Sequence, residues 1–287
     1  MKGILQNKVA VITGGSRGLG YAIAETYARE GAKVVIASRT QRAVDEAVKK
    51  LQENGMQAAG LACDVSDIQQ VEALAEFAIS AFGRVDIWVN NAGLSAPYGP
   101  TAHIPSGDFM SVIDTNITGT YNGSFVAMRY FIKQKSGKLI NLLGRGDNGA
   151  VPFQNAYSSS KVWVRNFTMA LAKEYKDSGV DVFGFNPGLV KTEMLSNVHA
   201  LNGYEDKLNP LRYVVLLWGN DANVPAEKAL WLASSATDGK SGMQVTVLTA
   251  WFKFSRILVV LLGRLKKQPQ ELMKLNITSV EPVISGD

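Results

Sequence analysis

The chain has 287 residues, a length that suits one large α/β domain or two small ones. Hydrophobic residues make up 46% and charged residues 19%, which excludes a largely disordered chain and allows a sizeable core. The net charge of +5 is matched by Lys253, Arg256, Arg264, Lys266 and Lys267, which share an acid-free run, so a basic body that tracks nucleic acid is excluded.

The sole cysteine, Cys63, cannot form an intramolecular disulfide and reads as an inert core thiol. No secretory leader is expected, because the N-terminal residues run directly into a glycine-rich loop. Strand-length apolar runs then alternate with helical patterns. Lys8–Thr13 predicts a strand and Gly18–Glu30 a helix; Lys33–Ala37 and Gln41–Glu53 repeat the pair. Further strands are expected at Gln57–Cys63, Asp86–Asn90, Lys138–Leu143 and Val180–Asn186, separated by helices at Asp67–Phe82, Ser106–Gln134 and Asn155–Ser178. A helix at Pro225–Ser234 leads to a seventh strand, Met243–Thr249. Strands this apolar, spaced by helices, imply a doubly wound α/β fold with a seven-stranded parallel sheet covered on both faces. No composition break occurs before about residue 250. The expected division is a single domain over 1–250 and a basic extension over 251–287.

The loop Thr13-Gly14-Gly15-Ser16-Arg17-Gly18-Leu19-Gly20 joins the first strand to the first helix. Glycines there let the backbone turn sharply and approach a pyrophosphate, and the helix N-terminus offers that anion its unpaired N–H groups. The end of the second strand indicates which dinucleotide. A carboxylate there would accept the ribose hydroxyls of NAD, whereas a 2′-phosphate needs cations. The sequence has Ala37-Ser38-Arg39 with no acid before Asp45, and Arg17 can reach the same place, so the expectation is NADP(H).

Four motifs together resemble the single-domain branch of the short-chain dehydrogenase/reductase family over roughly residues 5–250. They are the glycine loop, Asn90-Asn91-Ala92-Gly93, the pair Tyr157 and Lys161, and Asn186-Pro187-Gly188. The resemblance implies that the cofactor lies against Gly14, Ser16, Arg17, Gly18, Leu19, Gly20, Ser38 and Arg39. Asp64 and Val65 would meet adenine, and Asn91, Ala92 and Gly93 the adenosine ribose. Pro187 and Gly188 form the turn after the sixth strand, and Val190 and Thr192 would hold the nicotinamide amide. Lys161 would bind the nicotinamide ribose and, with the nicotinamide charge, lower the Tyr157 pKa so that Tyr157 exchanges a proton with a carbonyl or alcohol. Asn116 matches the asparagine that holds a relay water. The usual serine thirteen residues before the tyrosine is Gly144 here, a loss worth on the order of 3 kcal/mol in a working site. Asp147, Asn148 and Ser95 are the candidate replacements.

The resemblance therefore implies a carbonyl reductase or alcohol dehydrogenase using NADP(H). An NADP(H)-binding pseudoenzyme or regulator and an NAD-linked alcohol dehydrogenase are the alternatives. No metal site is expected, since His103 and His199 are the only histidines. The apolar stretch from Lys191 to Val224 reads as a lid that suits a lipophilic substrate, or that merely packs onto the body. A homodimer or homotetramer is expected, without nucleic acid, in the cytoplasm and possibly peripheral to a membrane. On a helical wheel Lys253, Arg256, Arg264 and Lys267 span about 80°, with Ile257, Leu258, Leu261, Leu262 and Leu265 pointing away. Such a helix suits a membrane surface or a subunit contact equally.

Overall fold

The computed structural model describes residues 3–265 and 272–283. Strands β1 (Val9–Thr13), β2 (Lys33–Ser38), β3 (Ala58–Ala62), β4 (Ile87–Asn90), β5 (Gly137–Leu142) and β6 (Val180–Asn186) alternate with helices α1 (Gly18–Arg29), α2 (Gln41–Glu53) and α3 (Ile68–Phe82) and with the helices that follow. Between β4 and β5 lie α4 (Ser106–Val112) and α5 (Gly119–Gln134), and between β5 and β6 lies α6 (Asn155–Glu174). Next come β7 (Leu189–Val190), α7 (Glu193–Ser196), β8 (Asn197–Leu201), α8 (Leu211–Trp218), β9 (Gly219–Asn220), α9 (Asn223–Ala233), β10 (Gln244–Thr246), α10 (Ala250–Leu265) and β11 (Asn276–Val280).

The main sheet has seven parallel strands in the order β10-β6-β5-β4-β1-β2-β3. The order reverses between β1 and β4, and at that switch point the strand ends leave a crevice. Alternation along each strand splits the core into two layers. Ala10, Ile12, Val34 and Ile36 pack with Ile23 and Tyr27 of α1 and Ala229 of α9, whereas Val11, Val35 and Trp88 pack with Leu74 of α3 and Phe131 of α5.

The helix expected over Ser106–Gln134 is not continuous. Ile113–Thr118 forms a π-helical turn between α4 and α5, centred on the fully buried Asn116. A π turn costs hydrogen-bond geometry and usually marks a functional position. Here Asn116 exchanges bonds with the main chain of Leu94, accepting at 2.8 Å and donating at 3.0 Å.

The lid is built by pairing remote segments. Strand β7 pairs in parallel with β9, and β8 pairs in parallel with β11 near the end of the chain. On the other side of β8, Tyr98 N–H donates to His199 O at 2.8 Å and Leu201 N–H donates to Tyr98 O at 3.0 Å. The extension past residue 250 thus returns to the body, and Val283 N–H donates to His103 O.

Helix α10 packs on α8. Its basic stripe is divided: Lys253 is exposed, but Arg256 turns inward and donates from Nε to Leu217 O at 3.4 Å. The helical wheel sets Arg256 opposite the apolar residues, whereas in the fold it turns towards α8. Trp251, Phe254, Ile257 and Val259 are exposed instead. Lys266 and Lys267 lie outside the described residues, as do the side chains of Leu258, Leu261, Leu262, Arg264 and Leu265. Among the described residues no helix is long and apolar enough to cross a membrane.

Candidate active site

The glycine loop bridges β1 and α1 at the crevice. Gly14 and Gly18 have φ of +62° and +56°, and a Cβ on Gly20 would lie 2.2 Å from Gly14 O. Larger residues would strain or block this turn. The Asn-Asn-Ala-Gly segment after β4 braces the loop. Asn91 Nδ2 donates to Thr13 O and Gly14 O, while Thr13 Oγ1 accepts from the N–H groups of Asn91 and Ala92. Asn90 is committed to the interior: its Nδ2 donates to Asn141 Oδ1 at 2.8 Å and to Ser124 Oγ at 3.0 Å.

At the end of β2, Ser38 Oγ is buried and has no hydrogen-bond partner. Arg39 beside it is exposed, and Arg17 at the first turn of α1 is paired with Glu193 of α7 at 2.6 Å. This corner thus holds a buried unpaired hydroxyl and an exposed arginine with no acid before Asp45, while Arg17 is already paired with the Glu193 carboxylate. Asp64 Oδ1 accepts from Ser66, and Val65 is buried. Gly93 faces Asn116 and Lys161, since a Cβ there would meet Asn116 Oδ1 at 3.3 Å and Lys161 Nζ at 3.8 Å. Pro187 and Gly188 turn the chain after β6. Gly188 has φ +73° and its N–H donates to Asn186 Oδ1. Val190 lies on β7, and Thr192 approaches Gly18. Ser16 and Leu19 are both partly buried at the start of α1, and Leu19 packs against the core.

Helix α6 carries the candidate proton chemistry. Its buried residues Ala156, Ser160, Lys161, Val164, Thr168 and Ala172 fall at helical spacing, and this stripe fixes the rotation of the helix. Tyr157 and Lys161, one turn apart, both come to the ends of β4 and β5. The Lys161 Nζ donates to Leu142 O at 3.0 Å and lies 5.6 Å from the Tyr157 ring centre. Asn116 Nδ2 donates to Ser160 Oγ on the same helix at 2.9 Å. Ser160, which ties the π turn to α6, gave no signal in the sequence beyond its place between Tyr157 and Lys161.

Gly144 is buried directly under the phenol. A Cβ added there would lie 2.3 Å from Tyr157 Oη. The tyrosine hydroxyl thus occupies space that any side chain at 144 would need. Of the three candidate replacements for the serine, Ser95 and Asn148 are exposed, whereas Asp147 is buried and paired with Arg165 at 3.1 Å.

Without a nicotinamide, burial and, to a smaller extent, Asp147 push the Tyr157 phenol up to about 12. Burial also draws the Lys161 ammonium down to about 8, partly opposed by Asp147. The Cys63 thiol is buried and pushed up to about 12, as suits an inert core group.

Beside Tyr157 lies a small pocket walled by Ala96, Pro97, Ile104, Phe109 and Phe153. Phe153 has φ +65°, a conformation that costs roughly 1–3 kcal/mol for such a residue. Its ring lies 5.5 Å from Tyr98 and 5.6 Å from Tyr204, and the Lys207 ammonium covers both Phe153 and Tyr204. Nothing local in the sequence marks Phe153; its role comes from contacts with the lid.

Known proteins agree with this architecture. The family model described as short chain dehydrogenase matches residues 8–202. The 3beta-hydroxysteroid dehydrogenase 1 of Eggerthella lenta is 35% identical over 248 residues, covering 85% of this chain and 93% of its own. A solved gluconate 5-dehydrogenase from Burkholderia cenocepacia J2315, in complex with NADP and tartrate, aligns with a TM-score of 0.76 and 27% identity, over 85% of this chain and 94% of that one. A 3-ketoacyl-(acyl-carrier-protein) reductase from Brucella melitensis, complexed with NADH, aligns with the same TM-score and identity, over 85% of this chain and 97% of that one. With the matched segment running from β1 into the lid and the Tyr157–Lys161 helix in place, the chain belongs to the short-chain dehydrogenase/reductase family.

Proposed function

We propose that the protein is an NADP(H)-dependent oxidoreductase that interconverts a carbonyl and an alcohol on an apolar substrate. The observation that carries this reading is the placement of Tyr157, Lys161 and Asn116 together near the glycine loop, with a small pocket of mixed lining beside Tyr157. A dinucleotide fits the residues present. The loop glycines leave room for a pyrophosphate, α1 has no side-chain cap on its first N–H groups, and Ser38 Oγ is an unsatisfied donor near Arg39. Gly14, Ser16, Arg17, Gly18, Leu19, Gly20, Ser38, Arg39, Asp64, Val65, Asn91, Ala92, Gly93, Pro187, Gly188, Val190 and Thr192 would hold it. The nicotinamide would supply the hydride in reduction and accept it in oxidation.

Tyr157 Oη holds the proton that a carbonyl oxygen takes as it becomes a hydroxyl, and reclaims it in the reverse direction. Lys161 sets a positive charge near that oxygen. Asn116 fixes the π turn, and through it the distance between α6 and the segment after β4. Ile104, Phe109 and Phe153 beside Tyr157, with the apolar stretch from Lys191 to Val224, support an apolar carbonyl compound. The preference for NADP(H) over NAD(H) rests on Arg17, Arg39 and the absence of an acid between Ser38 and Asp45.

A second copy of the chain is proposed to cover α5 and α6, where Tyr121, Phe125, Ile132, Val162 and Met169 are exposed. The exposed Trp251, Phe254, Ile257 and Val259, on a helix with cations and no acid, are proposed to rest on an anionic lipid surface. Flotation with anionic liposomes that weakens with salt would support the latter.

The deciding experiment is NADPH oxidation against a panel of apolar ketones and aldehydes, with Tyr157→Phe as the control. Turnover in the wild type and a loss of roughly a thousandfold in the variant, with cofactor binding kept, is expected. Tight NADPH binding without turnover on any member would favour the pseudoenzyme, and faster turnover with NADH would favour the NAD-linked alternative.

A further inference from the structure

Tyr157, Lys161 and Arg165 occupy successive turns of α6 and form one row of side chains. Arg165 has no part in the cofactor or proton chemistry described above. Its Nη1 donates to Asp147 Oδ2 at 3.1 Å, and Asp147 is only 7% exposed.

Asp147 ends a tight turn that begins at Gly144. The N–H of Asp147 donates to Gly144 O at 3.2 Å, and Gly144 O also accepts from Asn186 Nδ2 at 3.1 Å. Between them Gly146 has φ +88°, and a Cβ on it would lie 2.5 Å from Ser158 Cβ. The turn is thus tied to β6 at one end, pressed against α6 in the middle and bound to α6 by the ion pair at the other end. Its first residue is the one whose missing side chain leaves room for Tyr157 Oη.

We propose that the Asp147–Arg165 pair is a positioning device for the tyrosine hydroxyl, locking the Gly144–Asp147 turn beneath it and keeping a buried carboxylate neutralised at close range. The proposal rests on Tyr157 as the proton donor. A buried carboxylate without its partner would act on the phenol as an uncompensated negative charge. The direction is already visible, since Asp147 contributes to raising both Tyr157 and Lys161. The charged groups that act on the phenol are Lys161 from α6 and Asp147 from the turn, with Arg165 two turns along α6 acting through its pair with Asp147. Asn116 and Ser160 are neutral, and the pocket side presents no ionisable group except Tyr157 itself.

The test is the titration of Tyr157 in the protein without cofactor or substrate, followed by NMR of ζ-carbon-labelled tyrosine. The resonance is assigned by its loss in Tyr157→Phe. Asp147→Asn is expected to lower the midpoint by roughly one pH unit, and Arg165→Met to keep the phenol protonated up to the alkaline limit of the fold. Arg165→Lys should restore most of the wild-type value. If Arg165→Met does not fold, the Asp147→Asn/Arg165→Met double variant buries no charge at either position and should titrate below wild type. A clamp that served only to hold shape would reduce thermal stability and leave every midpoint unchanged. That result, or an unmoved midpoint in Asp147→Asn, would overturn the proposal. Because no turnover is measured, a failure here is distinct from a failure of the enzymatic reading.

Discussion

The nucleotide half of the molecule and its substrate half are built on different principles. Between Val9 and Ser38, two strands, one glycine turn and one helix build the core of the nucleotide corner from neighbours in sequence, with Asn91 as a remote brace. The substrate side is assembled from distant pieces: Tyr98 beside β8, β8 beside β11, Gly144 under Tyr157, and Asp147 against Arg165. A locally built site tolerates change elsewhere in the chain, whereas a site made of remote contacts is sensitive to each of them.

The sharpest way to break this comparison is Gly144→Ser. Because an added Cβ would lie 2.3 Å from Tyr157 Oη, the phenol must move, and turnover is expected to fall about a hundredfold. Gly144→Ala should do the same harm, since the space matters and not the hydroxyl. Steady-state rates with NADPH saturating check this, and a Gly144→Ser variant faster than wild type would mean that the hydroxyl was simply missing. In the other half, Arg39→Asp should act on the cofactor alone, reducing or reversing an NADPH preference of at least about tenfold while leaving the carbonyl KM unchanged. Calorimetric titration with both dinucleotides reads the first effect, and equal affinities in the wild type would refute the assignment.

How much was legible follows the same division. The seven strands, the glycine loop and the tyrosine–lysine row could be read because each depends on a period or a spacing within about thirty residues. The π turn at Ile113–Thr118 could not, because it needs Asn116 to be held by two partners on separate elements, Leu94 after β4 and Ser160 on α6, 44 residues on. Arg256 was misplaced for a similar reason: a helical wheel does not know which side α8 will cover. Phe153 lies in an unremarkable stretch, and only the rings of Tyr98 and Tyr204 explain its strained backbone. The burial that raises the free-protein phenol is likewise a tertiary property, which the spacing of Tyr157 and Lys161 does not encode.

Smaller effects sharpen the contrast. Ending the chain at residue 271 removes β11, and with it the partner of β8. The carbonyl KM should rise about fivefold, the size of one or two lost hydrogen bonds, with NADPH affinity unchanged. An equal loss in both would show that the tail supports the whole body. The smallest effect concerns Lys161, whose pKa burial draws down to about 8 from the ordinary lysine value of 10.5. Below about pH 8 the lysine is charged in both the folded and unfolded states, and burying that charge costs stability. Between the two values the unfolded chain binds the extra proton, so the wild type gains stability as pH rises. Lys161→Met should therefore melt higher than wild type near neutral pH, by on the order of 5 °C, with the gap closing towards pH 10.5. Thermal melts across that range decide it, and a gap that is constant with pH would show that packing alone is at work.

The pairing of β8 with β11 also bears on the order in which the protein is made. Asn197 leaves the ribosome long before Asn276, its partner across the ladder. During that interval one edge of β8 has open main-chain donors and acceptors, the kind of edge that invites pairing with another chain. The glycine loop and the first crossover are complete by then and can fold as they emerge, N-terminal part first. The roof over the carbonyl pocket is therefore finished only after synthesis has passed Val280, and a stalled or clipped chain would carry a formed nucleotide crevice under an unfinished lid.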